Sequence, residues 1–184
     1  GPKDQLHISP LPKQGQASIR NHLLKHARGR TLVFLNDDMI PASNFLETHL
    51  HHQREQEAKG RPALIVGDSP WRIPGSRGTG GSFEPPVDEP PDSLFDRLIR
   101  ETSMVFFYNV MKSQPPDRDW GFRHAWLLNL SAPAALIREV GGFTVFPSTY
   151  GYEDDDLAFR LAQRFNTSVL FREDAVAIHD HRLT

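Results

Sequence analysis

The segment Thr31-Leu32-Val33-Phe34-Leu35 is an unbroken apolar run that stops abruptly at Asn36-Asp37-Asp38. An apolar run without alternation is the pattern of a β-strand covered on both faces, as in a parallel sheet. Two adjacent carboxylates at the end of such a strand are costly unless something neutralises them, and a divalent cation is the usual partner of clustered hard oxygens. The tripeptide alone leaves a plainer reading open, because Asx residues commonly start the loops that follow strands.

The flanking segments place this strand in an alternating order. Residues 16–28 carry Ile19, Leu23, Leu24 and Ala27 at helical spacing and stop at Gly29. Ser43 or Asn44 can cap a helix running toward Lys59 with Phe45, Leu46 and Leu50 facing inward, and residues 63–67 read as a second buried strand. Strands alternating with helices predict an α/β fold, a mixed and mostly parallel sheet flanked by helices, with ligands gathering at the carboxyl ends of the strands. Asn36 to Asp38 stand at that edge.

Residues 68–92 are dominated by Pro, Gly, Ser and Arg, which cannot build a packed element; they are expected as a flexible loop, either a disordered insertion or a lid. Residues 93–112 then read as a long amphipathic helix through Leu94, Leu98, Val105 and Met111. The 184 residues, 38% hydrophobic and 24% charged, suit one domain over residues 1–184. With 21 basic against 23 acidic residues there is no broad positive field to hold nucleic acid. The absence of cysteine excludes thiolate metal sites and cysteine nucleophiles, so any metal must use oxygen or imidazole. No apolar run reaches the length of a membrane helix, and the expected location is the cytoplasm, free or at the inner membrane face.

A second acidic cluster, Tyr150-Gly151-Tyr152-Glu153-Asp154-Asp155-Asp156-Leu157, opens a helix whose inward face is Leu157, Leu161, Ala162 and Phe165. Acids in a first turn compensate the helix dipole at about 0.3–1 kcal/mol each. Glu153 to Asp156 span a full turn, so at least one must point toward the protein or a cleft, where it could deprotonate an attacking hydroxyl. A third element, Ala175-Val176-Ala177-Ile178-His179-Asp180-His181, ends an apolar run in histidines. His179 or His181 could complete a metal shell begun by Asp38, or simply lie at the surface.

Together these pieces resemble the family 2 glycosyltransferases of GT-A fold. Gly15-Gln16-Ala17-Ser18-Ile19-Arg20-Asn21 with Ala27-Arg28-Gly29 resembles the family's helix before the metal strand. Phe34-Leu35-Asn36-Asp37-Asp38-Met39-Ile40-Pro41 resembles its "F-L-D-x-D-x-x-P" segment. Asn129-Leu130-Ser131, Val140-Gly141-Gly142-Phe143 and Gly151-Tyr152-Glu153-Asp154 with Asp156-Leu157 and Arg160-Leu161 resemble its "N-x-S … G-G-F … G-x-E-D-x-D-L-x-x-R-L" region.

The resemblance implies a metal-dependent transfer of sugar from a nucleotide-sugar donor to a carbohydrate or other hydroxyl acceptor, with inversion. It implies Mn2+ or Mg2+ held by Asp38 with His179, or with His181 in its place. Asn36 stands where the family's DxD motif has its first acid, Asp37 takes the variable middle position, and Arg20 and Asn21 are weaker candidates for cofactor contact. Asp154 matches the general base and Glu153 a residue that positions acceptor or base. Gly141 and Gly142 match a turn near the donor sugar, while Trp120, His124 and Asn129 fall where acceptor or donor-sugar contacts are expected. The family's opening strands, which hold base and ribose, have no counterpart before Gly15, so the domain is expected to be partial there, with an exposed sheet edge able to drive self-association. Two other classes remain open: a non-catalytic module of this fold that binds sugar or nucleotide, suggested by Asn36, and a metal-dependent hydrolase built from the same acids and histidines.

Overall fold

The computed structural model describes residues 10–12, 15–72, 95, 98–99, 106–147 and 151–180. Within them, α1 (Gln16–His26) leads into β1 (Thr31–Leu35) and β2 (Met39–Pro41), followed by α2 (Phe45–Ala58), β3 (Ala63–Gly67) and β4 (Trp71–Arg72). Then come α3 (Phe106–Lys112), a 3-10 turn (Phe122–His124), β5 (Asn129–Pro133), α4 (Ala134–Glu139), α5 (Glu153–Phe165), β6 (Ser168–Arg172) and β7 (Ala177–Asp180).

These elements form a mixed α/β fold with two sheets. The larger has strand order β1-β5-β3-β6 and the smaller β2-β7-β4. β5 runs antiparallel to both β1 and β3, while β3 and β6 are parallel. The sheet therefore holds fewer parallel pairings than the alternation of strands and helices suggests, because β5 inserts between two strands that share a direction. β1 and β3 are nonetheless parallel to each other through it, and their carboxyl ends lie on one edge. β1 stands at the end of the strand order, and its residues are half-buried to exposed rather than covered on both faces.

The principal core gathers Leu64, Val66, Leu130, Ile137, Leu157, Leu161, Val169 and Phe171 between the sheet and the helices α4 and α5. α5 turns its buried Leu157, Ala158 and Leu161 inward, as the periodicity requires, and ends at Asn166 in a left-handed conformation with φ 53°. α2 departs from expectation. Leu46 is 60% exposed and Leu50 also faces solvent, while Thr48, His49, His52, Gln53 and Gln56 are buried.

That polar inward face is matched by polar groups on the sheet. His49 Nε2 donates to Asn129 Oδ1 and its Nδ1 accepts from Ser131 Oγ, each at 2.9 Å. Asn129 Nδ2 in turn donates to the carbonyls of Asp68 and Ala175 at 3.0 Å, and Gln53 Nε2 donates to the Ser131 carbonyl at 3.0 Å. Enclosed polar groups that find partners in this way escape the penalty of unpaired burial and fix one register between helix and sheet. Burial pushes the His49 imidazole below its ordinary value, in keeping with a neutral ring that donates from one nitrogen and accepts at the other.

The Pro/Gly segment expected from residue 68 yields its first residues to order. Trp71 and Arg72 form β4, parallel to β7. The rest of the expected loop, half of the 93–112 helix and His181 lie outside the described residues, and Phe106–Lys112 is helical as expected.

Candidate active site

The carboxyl edge of the larger sheet collects the acids. β1 delivers Asn36, Asp37 and Asp38 there directly. α5 precedes β6 with only Asn166 and Thr167 between them, so the chain reverses and the helix runs antiparallel to its strand. Its N-terminal turn, with Glu153 and Asp154, thus points toward the same edge as the end of β1.

Asp38 and His179 are in direct contact. β2 and β7 pair antiparallel with Met39 opposite His179, and the Asp180 amide donates to the Asp38 carbonyl at 2.9 Å. This register sets His179 Nε2 2.8 Å from Asp38 Oδ2. Asp38 Oδ1 is buried with no hydrogen-bond partner among the described residues. A buried carboxylate oxygen without a partner, beside an imidazole nitrogen, is a donor set of the hard-oxygen and imidazole kind that suits Mn2+ or Mg2+.

The surroundings of His179 hold its ring in place. Trp71 meets it edge-on with ring centroids 5.7 Å apart. Next along β7, Asp180 is fully buried and pairs with Arg72 at 2.9 Å, binding β4 to β7. Sequence reasoning passed over Trp71, Arg72 and Asp180, the first two because they sit in Pro/Gly-rich composition. The signal available was Asp180 itself, an acid between two histidines directly after the apolar run of residues 175–178.

Around α5, each acid has a different environment. Glu153 is buried and its Oε1 accepts from Arg20 at 2.5 Å, joining α1 to the first turn of α5. Asp154 stays half-buried; its Oδ1 accepts from the Asp155 amide at 2.9 Å. Burial pushes the Asp154 carboxyl above its ordinary value, and the charges of Glu153 and Asp155 act in the same direction against the lowering effect of that amide bond. Asp156 Oδ2 accepts from Thr144 Oγ1 at 2.6 Å and from Arg160 Nε at 2.8 Å.

Arg160 continues to the carbonyls of Val140 and Gly142, each at 2.7 Å. Asn21 closes on the same turn from the other side, donating to the Phe143 carbonyl at 2.7 Å and accepting from its amide at 2.8 Å. Gly142 has φ +79°, and a Cβ there would lie 2.5 Å from Asn21 Oδ1. The Gly141-Gly142-Phe143 turn is thus clamped by a helix on each side. Phe143 stacks edge-on against Phe34 of β1 at 5.7 Å, which connects the turn and α5 to the strand that carries Asp38.

The residues singled out in the sequence therefore fall into distinct places. Asp38 and His179 touch. Glu153, Arg20, Asn21 and Gly142 form a packed assembly beneath the first turn of α5, while Gly141 is exposed with φ +82°. Asn36 is half-buried, its amide bonded to the Leu128 carbonyl, and Asp37 is exposed. Asn129 has no exposure and both its amide hydrogens are engaged within the core, so it serves the scaffold and is not carried into a sugar-contacting surface. Trp120 and His124 lie around the 3-10 turn, where His124 Nδ1 donates to the Trp120 carbonyl at 2.5 Å. Trp120 also donates from its amide to Val169, away from the β2–β7 pair.

This fold class has solved relatives by shape. The mannosyltransferase PcManGT from Pyrobaculum calidifontis, solved in complex with GDP-Man and Mn2+, superposes with a TM-score of 0.56 at 18% identity. The match covers 90% of this chain and 36% of that one, so the chain spans about a third of the length of the enzyme it resembles. No protein-family model and no curated protein sequence matches the chain. The chain is a mixed α/β protein with a fold similar to that of a glycosyltransferase, and among the described residues no helix is long and apolar enough to cross a membrane.

Proposed function

We propose that the chain carries the cation-binding and acceptor-side part of a GT-A glycosyltransferase resembling family 2, which transfers sugar from a nucleoside-diphosphate sugar to a hydroxyl acceptor with inversion. The observation that carries this reading is the Asp38–His179 contact, a carboxylate with one buried oxygen lacking a partner set against an imidazole, at the end of the strand whose sequence suggested it. Asp38 and His179 would hold Mn2+ or Mg2+, which when bound offsets charge on the departing nucleoside diphosphate.

The chain's own residues supply the rest. Asp154 accepts the proton of the attacking hydroxyl, and its raised affinity for protons brings it closer to the operating pH of a general base. Glu153, tied to Arg20, fixes the first turn of α5 and thereby the direction of Asp154. Asn21 and Arg160 hold the Gly141-Gly142-Phe143 turn against which the donor sugar would lie. Asn36 and Asp37 would face the diphosphate and ribose side, whereas Trp120 lines the separate cleft beside His52 and Glu55, and neither it nor His124 has a role in this scheme.

The reading is tested by incubating the protein with Mn2+ and a panel of nucleoside-diphosphate sugars, starting with GDP-mannose, and measuring nucleoside diphosphate release. Release with at least one donor, abolished in Asp154→Asn while donor binding persists, supports it. Release unaffected by Asp154→Asn contradicts the assigned base. Binding of donor without release in the unaltered chain would instead favour a non-catalytic module, for which Asn36 in place of an acid is the motivating feature.

A further inference from the structure

Where the buried face of α2 meets its exposed side, exposed His51, buried His52 and half-buried Glu55 form a second group of metal-binding side chains that shares no residue with the Asp38–His179 pair. His51, His52 and Glu55 each offer a ligand atom, and these atoms all lie within 4.8 Å of one another. Proximity alone decides little. The hydrogen bonds of His52 add an independent observation.

His52 Nε2 stands 2.8 and 3.0 Å from the two oxygens of Asp174. A carboxylate can only accept, so Nε2 carries the proton. Arg172 Nε donates toward His52 Nδ1 at 3.3 Å, and a guanidinium can only donate, so Nδ1 presents its lone pair. These bonds hold the ring in one orientation, with the Nδ1 lone pair toward Arg172 Nε and Glu55 Oε2 3.6 Å from the same nitrogen. A carboxylate that fixes the outer nitrogen of a histidine while the inner nitrogen faces other ligands is the arrangement found behind metal-binding imidazoles.

The distances fit a small cation. Tetrahedral zinc with bonds of about 2.0–2.1 Å places its ligand atoms roughly 3.3–3.5 Å apart. The His52–Glu55 separation of 3.6 Å is already close to that. His51 is exposed, its ring edge-on to His52 at 5.3 Å between centroids, and a rotation of this surface side chain closes the remaining gap. His52 and Glu55 line an open cleft of about 520 Å3, so an ion has access from solvent.

Two groups oppose the ion. Arg172 would have to release Nδ1, a bond that is long at 3.3 Å, and Lys59 holds Glu55 Oε1 at 2.5 Å, leaving Oε2 for the metal. The carboxylates of Glu55 and Asp174 balance these two positive charges.

We infer that His51, His52 and Glu55, with Asp174 orienting His52, form an accessory site for a borderline transition-metal cation such as Zn2+, distinct from the candidate active site. The experiment is calorimetric titration of Zn2+ into the full chain and into His51→Ala, Glu55→Gln, Asp174→Asn and Asp38→Asn, with metal-free thermal unfolding of each as a check on folding. The expected result is saturable Zn2+ uptake, weakened tenfold or more in His51→Ala and Glu55→Gln and by about 10–100-fold in Asp174→Asn. Asp38→Asn should keep this uptake, and the exposed His51→Ala substitution should leave the metal-free melting temperature unchanged. Uptake equal to the unaltered protein in both His51→Ala and Glu55→Gln, uptake lost only in Asp38→Asn, or no saturable uptake at all overturns the assignment.

Discussion

Asp38 Oδ2 and His179 Nε2 stand 2.8 Å apart although 141 positions separate the two residues along the chain. The contact follows from the β2–β7 register, which sets Met39 opposite His179, and from the Asp180 amide bonded to the Asp38 carbonyl. Two short strands thus bring an acid from the end of β1 and an imidazole from the far end of the chain to one point. The consequences can be tested residue by residue.

Replacing Asp154 by Asn should separate stability from function. An acid whose folded-state affinity for protons exceeds its unfolded one binds more protons when folded, so it costs stability once pH rises above its unfolded range near 4. The cost grows as pH rises from there toward the raised folded-state range, so at neutral pH Asp154→Asn should unfold at a higher urea midpoint than the unaltered chain. Turnover, if Asp154 is the base, should fall by about 10²–10⁴-fold. Denaturation and donor turnover on the same preparation measure both.

Gly142 should tolerate no side chain. Its φ of +79° is unfavourable for an L-residue, and a Cβ would press to 2.5 Å from Asn21 Oδ1. Gly142→Ala should destabilise by about 1–3 kcal/mol, the range for strained backbone, and should break the Asn21 clamp. Gly141→Ala, with φ +82° but open space around the new Cβ, should cost less. Urea unfolding of the two variants gives the comparison.

The Arg72–Asp180 pair should matter more for what its loss leaves behind than for its own attraction. Arg72→Met leaves the fully buried Asp180 without its guanidinium, and losing one partner of a buried pair costs about 3–5 kcal/mol. Asp180→Leu added to Arg72→Met should recover part of that loss. A double-mutant cycle by chemical denaturation reads it out.

His49 predicts a pH dependence. Burial holds its folded-state proton affinity below the unfolded value, so the unfolded chain binds more protons as pH falls below about 6.5. The stabilisation is present above that pH and is lost on acidification toward the lowered folded value. The unaltered chain should therefore lose more stability between pH 7.5 and pH 5.5 than His49→Gln, measured as the change in urea midpoint.

Much of the architecture could be read from periodicity. Thr31–Leu35 and Ala63–Gly67 form strands where apolar runs predicted them, and α5 buries the stripe of Leu157 and Leu161. The strand directions could not, because β5 pairs through backbone groups whose geometry leaves no mark on local composition. α2 differs from its apolar pattern at Leu46 and Leu50 for a different reason: its buried face is polar, and partners such as Asn129 and Ser131 make that burial favourable. In the candidate site, Asp38 and His179 are legible as residue types and the resemblance implies that they meet, while local pattern does not choose between His179 and His181. The resemblance implies ligand contacts for Arg20, Asn21 and Asn129, and in the structure their side chains bond to Glu153, to the Phe143 backbone and to the core respectively.

Sugar transfer of the proposed kind requires a cation held by Asp38 and His179. Titrating Mn2+ against the protein and following the electron paramagnetic resonance signal of the free ion measures it. The unaltered chain should deplete free Mn2+, and Asp38→Ala and His179→Ala should each weaken binding tenfold or more while His51→Ala does not. Mn2+ binding that survives both Asp38→Ala and His179→Ala unchanged would contradict it.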